Sequence, residues 1–379
     1  MKQNRDTPAV YFDHASAAPV LPELAAEFPA LAARAFANPE AAHRMAYHLR
    51  REIEDAGRRL APMLFAQPPD AAETVFGDSA GALAARLSLL KWSENDAAGS
   101  VLDHPALQAM RRRAFRHNVD LPLNANGGLR LPAPGALHPA LVTLPWVQSE
   151  TGLRYDPDLW IPRLREHFPD ALLLLDMVQG AGKLAPLRTL PDLALISGHK
   201  FGAPGGAALL LLSDRARQLA GPLRALRRQD YLVGRDEPLS ILLMTRALEI
   251  MTARREENLD RVRSLAEFLR GKLAKLQIKG SSAVRFLFAP EAVSPYILHF
   301  LLPGYDTGVI VRMLSCRNIM VAAGSACRSE SGEPSAVLRG LGLSRETAYS
   351  GLRLSFGPDS TLAEAERFCD VFAETLQNY

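Results

Sequence analysis

Several whole classes of protein are excluded by what this chain has little of. Its 379 residues include only three cysteines, Cys316, Cys327 and Cys369, too few for a disulfide framework. Its longest apolar stretches, such as 171–175 and 205–212, fall far below the roughly 18 residues that a membrane helix needs. The first ten residues lack the apolar segment of a secretory signal. No block of like charge stands out: 44 Lys and Arg are set against 41 Asp and Glu and interspersed with them, so the charge pattern does not point to nucleic acid. Glycine and proline, 26 and 27, stay short of a low-complexity share. The expectation is a globular, cytoplasmic protein with reduced thiols, no membrane or nucleic-acid partner and no metal centre, long enough to enclose an active site in a large core.

Short apolar runs alternate with amphipathic helical patterns from about residue 50 to residue 250, the signature of βα units around a mostly parallel sheet. Residues 140–144, 171–175 and 193–196 are apolar and bounded by Pro, Asp or Gly, as strands buried on both faces should be. In open α/β sheets, ligands gather beyond the carboxyl ends of the strands, so chemistry is sought just after these runs. From Leu242 to about Leu276 a charged pattern without Gly or Pro until Gly271 predicts one long linking helix. Beyond it come a β-like run at 295–302, a helix near 309–314, a Gly/Ser-rich loop, a strand-like 351–356 and a terminal helix. The fold class is therefore α/β. A large domain is expected over 15–250, and a smaller α+β domain over 1–14 and 251–379.

The apolar run ending at Ile196 leads into Ser197-Gly198-His199-Lys200 and then a string of small residues. Most lysines are solvated surface groups, but one at a strand terminus among small residues can be enclosed. Desolvation then frees the amine for Schiff-base chemistry. Asp176 follows the leucine run 24 residues earlier and would end a neighbouring strand, where a carboxylate can pair with a pyridinium nitrogen. A lysine, an anionic partner for the ring nitrogen and small residues that admit a phosphate are the parts a pyridoxal phosphate site needs. Alone, Asp176 would more often be a loop or capping carboxylate.

With these residues in view, the chain resembles the cysteine desulfurases of pyridoxal-phosphate fold type I, the class V aminotransferase group. The likeness runs from residue 10 to about 375. It includes Val10-Tyr-Phe-Asp-His-Ala-Ser-Ala-Ala-Pro19, Asn38-Pro39, Asp103-His104, Glu150-Thr-Gly152, Asp176-Met-Val-Gln179, Ser197-Gly-His-Lys200, Gly324-Ser-Ala-Cys327 and Leu352-Arg353. The resemblance implies that Lys200 carries pyridoxal 5'-phosphate, that Asp176 partners the ring nitrogen and that Gln179 partners the ring hydroxyl. It implies that Ser197 and His199 hold the phosphate, that His104 stacks on the ring and handles protons, and that Arg353 and Asn38 meet the substrate. Cys327, in a polar, small-residue segment beside Arg328, would take sulfur from L-cysteine as a persulfide and leave L-alanine, for transfer to a protein acceptor. Cys316 and Cys369 read as packing residues.

The chain also departs from that pattern. The phosphate-binding Gly-Ala-Thr turn aligns with Ser79-Ala80-Gly81, so the threonine hydroxyl is missing and Asp78 stands beside the turn. Ser149 occupies a position where an amide usually meets the ring oxygen. A threonine that family members lend to the partner subunit's cofactor aligns with Arg235, whose guanidinium would reach across a homodimer interface to the phosphate. These changes keep other readings open: a selenocysteine lyase, another C–S lyase, or a non-catalytic homologue that serves sulfur or iron–sulfur assembly.

Overall fold

The computed structural model describes residues 8–69, 72–92, 94, 96–133, 135–229, 236–278, 280–324 and 333–379. At its centre is a seven-stranded sheet of β1 (Glu73–Gly77), β2 (Asp96–Gly99), β3 (His117–Asp120), β4 (Leu141–Pro145), β5 (Leu172–Asp176), β6 (Leu193–Ser197) and β7 (Ala208–Leu212). The spatial order is β1-β7-β6-β5-β4-β2-β3. Only β7 runs against its neighbours, and the other pairings are parallel. Every residue of β4, β6 and β7 is buried, which requires cover on both faces and explains leucine runs without polar alternation. The pleat still sorts the side chains. Leu173 and Leu175 pack on one side with α1 (Arg44–Leu64) and α4 (Pro157–His167), while Leu174 packs on the other with α2 (Ala80–Leu87) and α3 (Pro105–Ala114).

A second core is built separately. Strand β8 (Ile297–Leu301), the short β9 (Ala322–Ala323) and β10 (Gly351–Ser355) form an antiparallel sheet in the order β8-β10-β9. Against it lie α6 (Arg255–Ala274), α7 (Thr307–Ser315) and α8 (Leu362–Gln377). Phe12 meets Phe356 and Phe368 edge-on at 5.2 and 6.1 Å, a geometry that adds to simple area burial. Helix α8 starts at a capping box in which Thr361 and Glu364 satisfy each other's backbone N–H, as the local sequence dictates. The segment Val10–Tyr11 pairs in parallel with Ile319–Met320. The chain start is thereby tied to the second core, and residues 13–17 are carried toward the edge of the large sheet.

The single linking helix expected from Leu242 to Leu276 is two helices, α5 (Pro238–Ala253) and α6, broken at Arg254. The reason is tertiary. Helix α5 buries ten of its side chains against the large core, α6 turns its apolar stripe to the second core, and Arg254 takes an off-helix ψ of 13° where the chain passes from one to the other. Cys316 also differs from expectation: it caps the end of α7 and is exposed, because the helix points Ile310 and Leu314 inward and leaves its last residue outside. Cys369 is half-buried beside the second core. No helix among the described residues is long and apolar enough to cross a membrane.

Candidate active site

Strands β4 and β5 finish together, with Pro145 opposite Asp176, while Asp176 lies opposite Leu195 and β6 runs two residues further to Ser197. Asp176 and Ser197 therefore end neighbouring strands at the carboxyl edge of the sheet, where a ligand cleft is expected. Asp176 accepts the Val178 N–H at 3.0 Å. Burial lifts its pKa to about 6, while the Val178 bond and the Lys200 ammonium hold it down. A 3-10 turn, Gly198–Lys200, follows β6 directly and brings His199 and Lys200 to the same edge. Ser197 Oγ and His199 Nδ1 lie 2.9 Å apart. Burial, with the charges of Lys200, Lys183 and His104, pushes His199 down to about 4, so its ring is neutral at pH 7. Lys200 Nζ donates to the carbonyls of Ala15 at 2.9 Å and Ser16 at 2.6 Å.

His104 caps α3 by accepting the Ala106 N–H at 3.2 Å. Its ring is accessible to solvent yet walled by protein. Desolvation first, and the Lys200 charge second, lower its pKa. The turn before it is pinned by a buried cluster that sequence reasoning passed over. Asp103 Oδ2 accepts Thr143 Oγ1–H at 2.6 Å and the Ser100 N–H at 3.0 Å, and lies 3.2 Å from Arg111. The side chains of Asp103 and Arg111 are both fully buried. Gly99 ends β2 here because any Cβ would collide with Thr143, Asp103 and Arg111. Desolvation still raises Asp103 to about 6 despite these partners.

Beside α3 stands the first turn of α2, where Ser79 is the N-cap and accepts the Ala82 N–H at 3.0 Å. The amides of Ala80 and Gly81 have no intrahelical acceptor by geometry. A Cβ on Gly81 would meet nothing nearer than Ser79 Oγ at 3.7 Å, so the space over this turn is open, and Asp78 is exposed. Helix dipole and amides together favour an anion at such a place.

Arg353 rises from β10, 3% exposed, and its guanidinium reaches the first sheet. Nη1 donates to the Ser149 carbonyl at 2.8 Å, and Nη2 to Asp13 Oδ1 and Ser16 Oγ, each at 2.7 Å. Ser149 thus contributes its backbone to the arginine. Gln179 is buried and gives its amide N–H to the Ala15 carbonyl at 2.9 Å, which turns it toward the 13–17 segment. Asn38 lies in an exposed turn and accepts the Glu40 N–H at 3.0 Å; among the hydrogen bonds of the described residues, none joins it to Lys200 or Arg353. Cys327 and Arg235 fall outside the described residues. Two groups were not anticipated. Asp13 is the carboxylate on Arg353, and Lys183 is a buried lysine four residues past Gln179. One sign was legible: between residues 92 and 271, Lys183 and Lys200 are the only lysines in an arginine-rich stretch.

The aminotransferase class-V family matches residues 10–368, and the chain belongs to that family. Within it the chain is similar to cysteine desulfurases. It is 28% identical to the IscS-like cysteine desulfurase of Mycobacterium tuberculosis, over 95% of this chain and 94% of that one. It is 26% identical to the cysteine desulfurase of Trichormus azollae, over 97% and 93%. Among solved structures, a NifS-like protein from Rickettsia africae superposes with a TM-score of 0.81 at 22% identity, covering 97% of this chain and 99% of that one. The apo cysteine desulfurase of Thermococcus onnurineus does so with 0.74 at 15%, covering 98% and 95%. The mostly parallel sheet with its smaller companion is therefore the type I fold of pyridoxal-phosphate enzymes.

Members of this family work with pyridoxal 5'-phosphate, and the residues present fit it. Asp176 is a carboxylate that burial holds near pKa 6, and a cationic ring N–H would stabilise its charge. The open first turn of α2, with Ser197 and His199, would offer N–H and O–H donors to a phosphate, and Lys200 would offer the amine.

Proposed function

We propose that this protein is a cysteine desulfurase, which converts L-cysteine and the Cys327 thiol into L-alanine and a Cys327 persulfide. The observation that carries the reading is the double grip on Ser16. Lys200 Nζ holds its carbonyl at 2.6 Å and Arg353 Nη2 holds its hydroxyl at 2.7 Å. One residue bridges the amine and the guanidinium, so an amino acid whose carboxylate took the arginine would present its α-carbon to the lysine.

Bound at Lys200, pyridoxal phosphate supplies the electron sink that makes an α-proton acidic. The chain's own groups do the rest. Arg353, kept extended by Asp13 and Ser149, clamps the carboxylate with its planar fork. Lys200 Nζ takes the α-proton and returns it, and neutral His104 is poised to accept or give a second one. Asp176 keeps the ring end of the site anionic, while Ser197, His199 and the amides of Ala80 and Gly81 receive the phosphate. The Cys327 thiolate attacks the substrate sulfur. The C–S bond breaks, its electron pair stays with the carbon and is protonated there, and the sulfur remains on Cys327. Balance needs no oxidant, because the cysteine carbon is reduced as Cys327 gains sulfur. The reading extends to a cytoplasmic homodimer, with Arg235 reaching the partner's phosphate, Asn38 near the substrate and a protein that accepts the sulfur.

The test is incubation of the holoprotein with L-cysteine and a reductant, comparing wild type with Cys327→Ala. Alanine and sulfide in equal amounts, lost in the variant, are expected. Pyruvate and ammonia would replace the reading with elimination, and a purified protein unable to take up the cofactor would leave only a binding role.

A further inference from the structure

Beside Lys200 lies a chamber of about 20 Å³, room for one water molecule, lined by His14, Lys183, Lys200, Tyr296, Phe356 and Gly357. Lys183 is 4% exposed. Its polar contacts are Gln179 Oε1 at 3.4 Å and the face of Tyr296, whose centroid is 5.7 Å away, and no carboxylate of the described residues forms a salt bridge with it. His14 Nδ1 and Tyr296 Oη, both more than nine-tenths buried, find no hydrogen-bond partner among the described residues. The groups that face Lys183 are mostly cationic or neutral: Lys200 after β6, Arg353 on β10, and His14 and His199. Tyr296 precedes β8, and Asp359 lies at the exposed rim.

A buried, uncompensated ammonium is costly, and this chain had a ready alternative. It carries 37 arginines and seven lysines. Arginine would fill the space and keep its charge at every physiological pH, whereas lysine can lose its own when buried. Burial, and then the charges of Lys200 and Arg353, push Lys183 down to about 7.

Resting on the reading of Lys200 as the cofactor lysine, we propose that Lys183 is a positioning residue that primes Lys200. The two amines share one small chamber without a carboxylate salt-bridged to Lys183, and their repulsion weakens the hold of the Lys200 nitrogen on its proton. The same ammonium holds Gln179 Oε1 and thereby points that amide's N–H group toward the Ala15 carbonyl. A neighbouring cation is a recognised way to keep a nucleophilic lysine unprotonated near neutral pH.

The test is a pH titration of the visible absorbance of the lysine-linked cofactor in wild type, Lys183→Met and Lys183→Arg, without substrate. The Met variant should titrate about one pH unit higher, a tenfold gain in proton affinity. The Arg variant, which stays charged where Lys183 does not, should titrate at or below wild type. A Met midpoint within about 0.2 unit of wild type, or equal upward shifts in both variants, overturns the proposal. Should the Met variant fail to fold, an Arg midpoint above wild type overturns it alone, and one at or below wild type upholds it. A wild-type protein with no cofactor band refutes the desulfurase reading instead. The order of the three proteins is then read from the pH dependence of acylation of the free Lys200 amine in the cofactor-free protein, followed by peptide mass spectrometry: a Met midpoint above wild type with Arg at or below it upholds the proposal, and any other order overturns it.

Discussion

Replacing Arg111 with methionine isolates the cluster that holds His104 in place. In the native protein Arg111 and Asp103 are both fully buried and 3.2 Å apart, while Asp103 also accepts from Thr143 and Ser100. Methionine keeps much of the volume and removes the cation beside Asp103, so among the described residues the buried carboxylate keeps only the neutral donors Thr143 and Ser100. Breaking such a pair from one side costs about 3–5 kcal/mol. The second carboxylate on Arg111, Asp120, is half exposed and adds little. The deficit must depend on pH. Asp103 already has a folded pKa of about 6, above its ordinary 3.8, so the folded state holds the extra proton and native stability falls as pH rises through that interval. Without Arg111 the folded pKa climbs further and the fall continues past pH 6. Urea denaturation of the cofactor-free protein should show a small deficit near pH 5 that grows toward the full value at pH 8. The double variant Arg111→Met with Asp103→Asn should recover most of it. A deficit equal at both pH values, or below about 1 kcal/mol, would show that the pair does not hold the turn.

Lys183→Met should make the cofactor-free protein more stable at pH 7. The unfolded lysine binds its proton up to about 10.5 and the folded one only to about 7, so wild-type stability rises between these values, and below them the penalty is complete. At 1.36 kcal/mol per unit the gain at pH 7 is up to about 4 kcal/mol, vanishing near pH 10; denaturation curves that run parallel across this range would contradict it. Arg353→Lys loses the fork that spans Ser149, Asp13 and Ser16. Steady-state kinetics should show kcat/KM for L-cysteine falling by about 10²-fold, the equivalent of roughly 3 kcal/mol for a charged hydrogen-bonded pair; a loss under about threefold would remove Arg353 from the carboxylate site.

Much of the large sheet was legible because its signal is local. Residues 140–144, 171–175 and 193–196 are predominantly apolar without regular alternation, and that pattern has one economical explanation in strands covered on both faces. Polar residues placed immediately after such runs then lie at the carboxyl edge, which is how Asp176 and Lys200 could be paired 24 positions apart. The break at Arg254 left no such mark. Nothing in 242–276 disfavours helix before Gly271, and the chain bends there only because α5 and α6 serve different cores.

The sequence by itself determined the α/β class and the strand-end positions of Asp176, Ser197, His199 and Lys200, since each depends on residues within a few positions of one another. Only tertiary structure decided that Asp13 neutralises Arg353, that Ser16 is gripped by both Lys200 and Arg353, and that Lys183 is buried beside the Lys200 amine. The first two relations join residues 184 to 340 positions apart, and burial and charge pairing are properties of the assembled space around a side chain rather than of its neighbours along the chain.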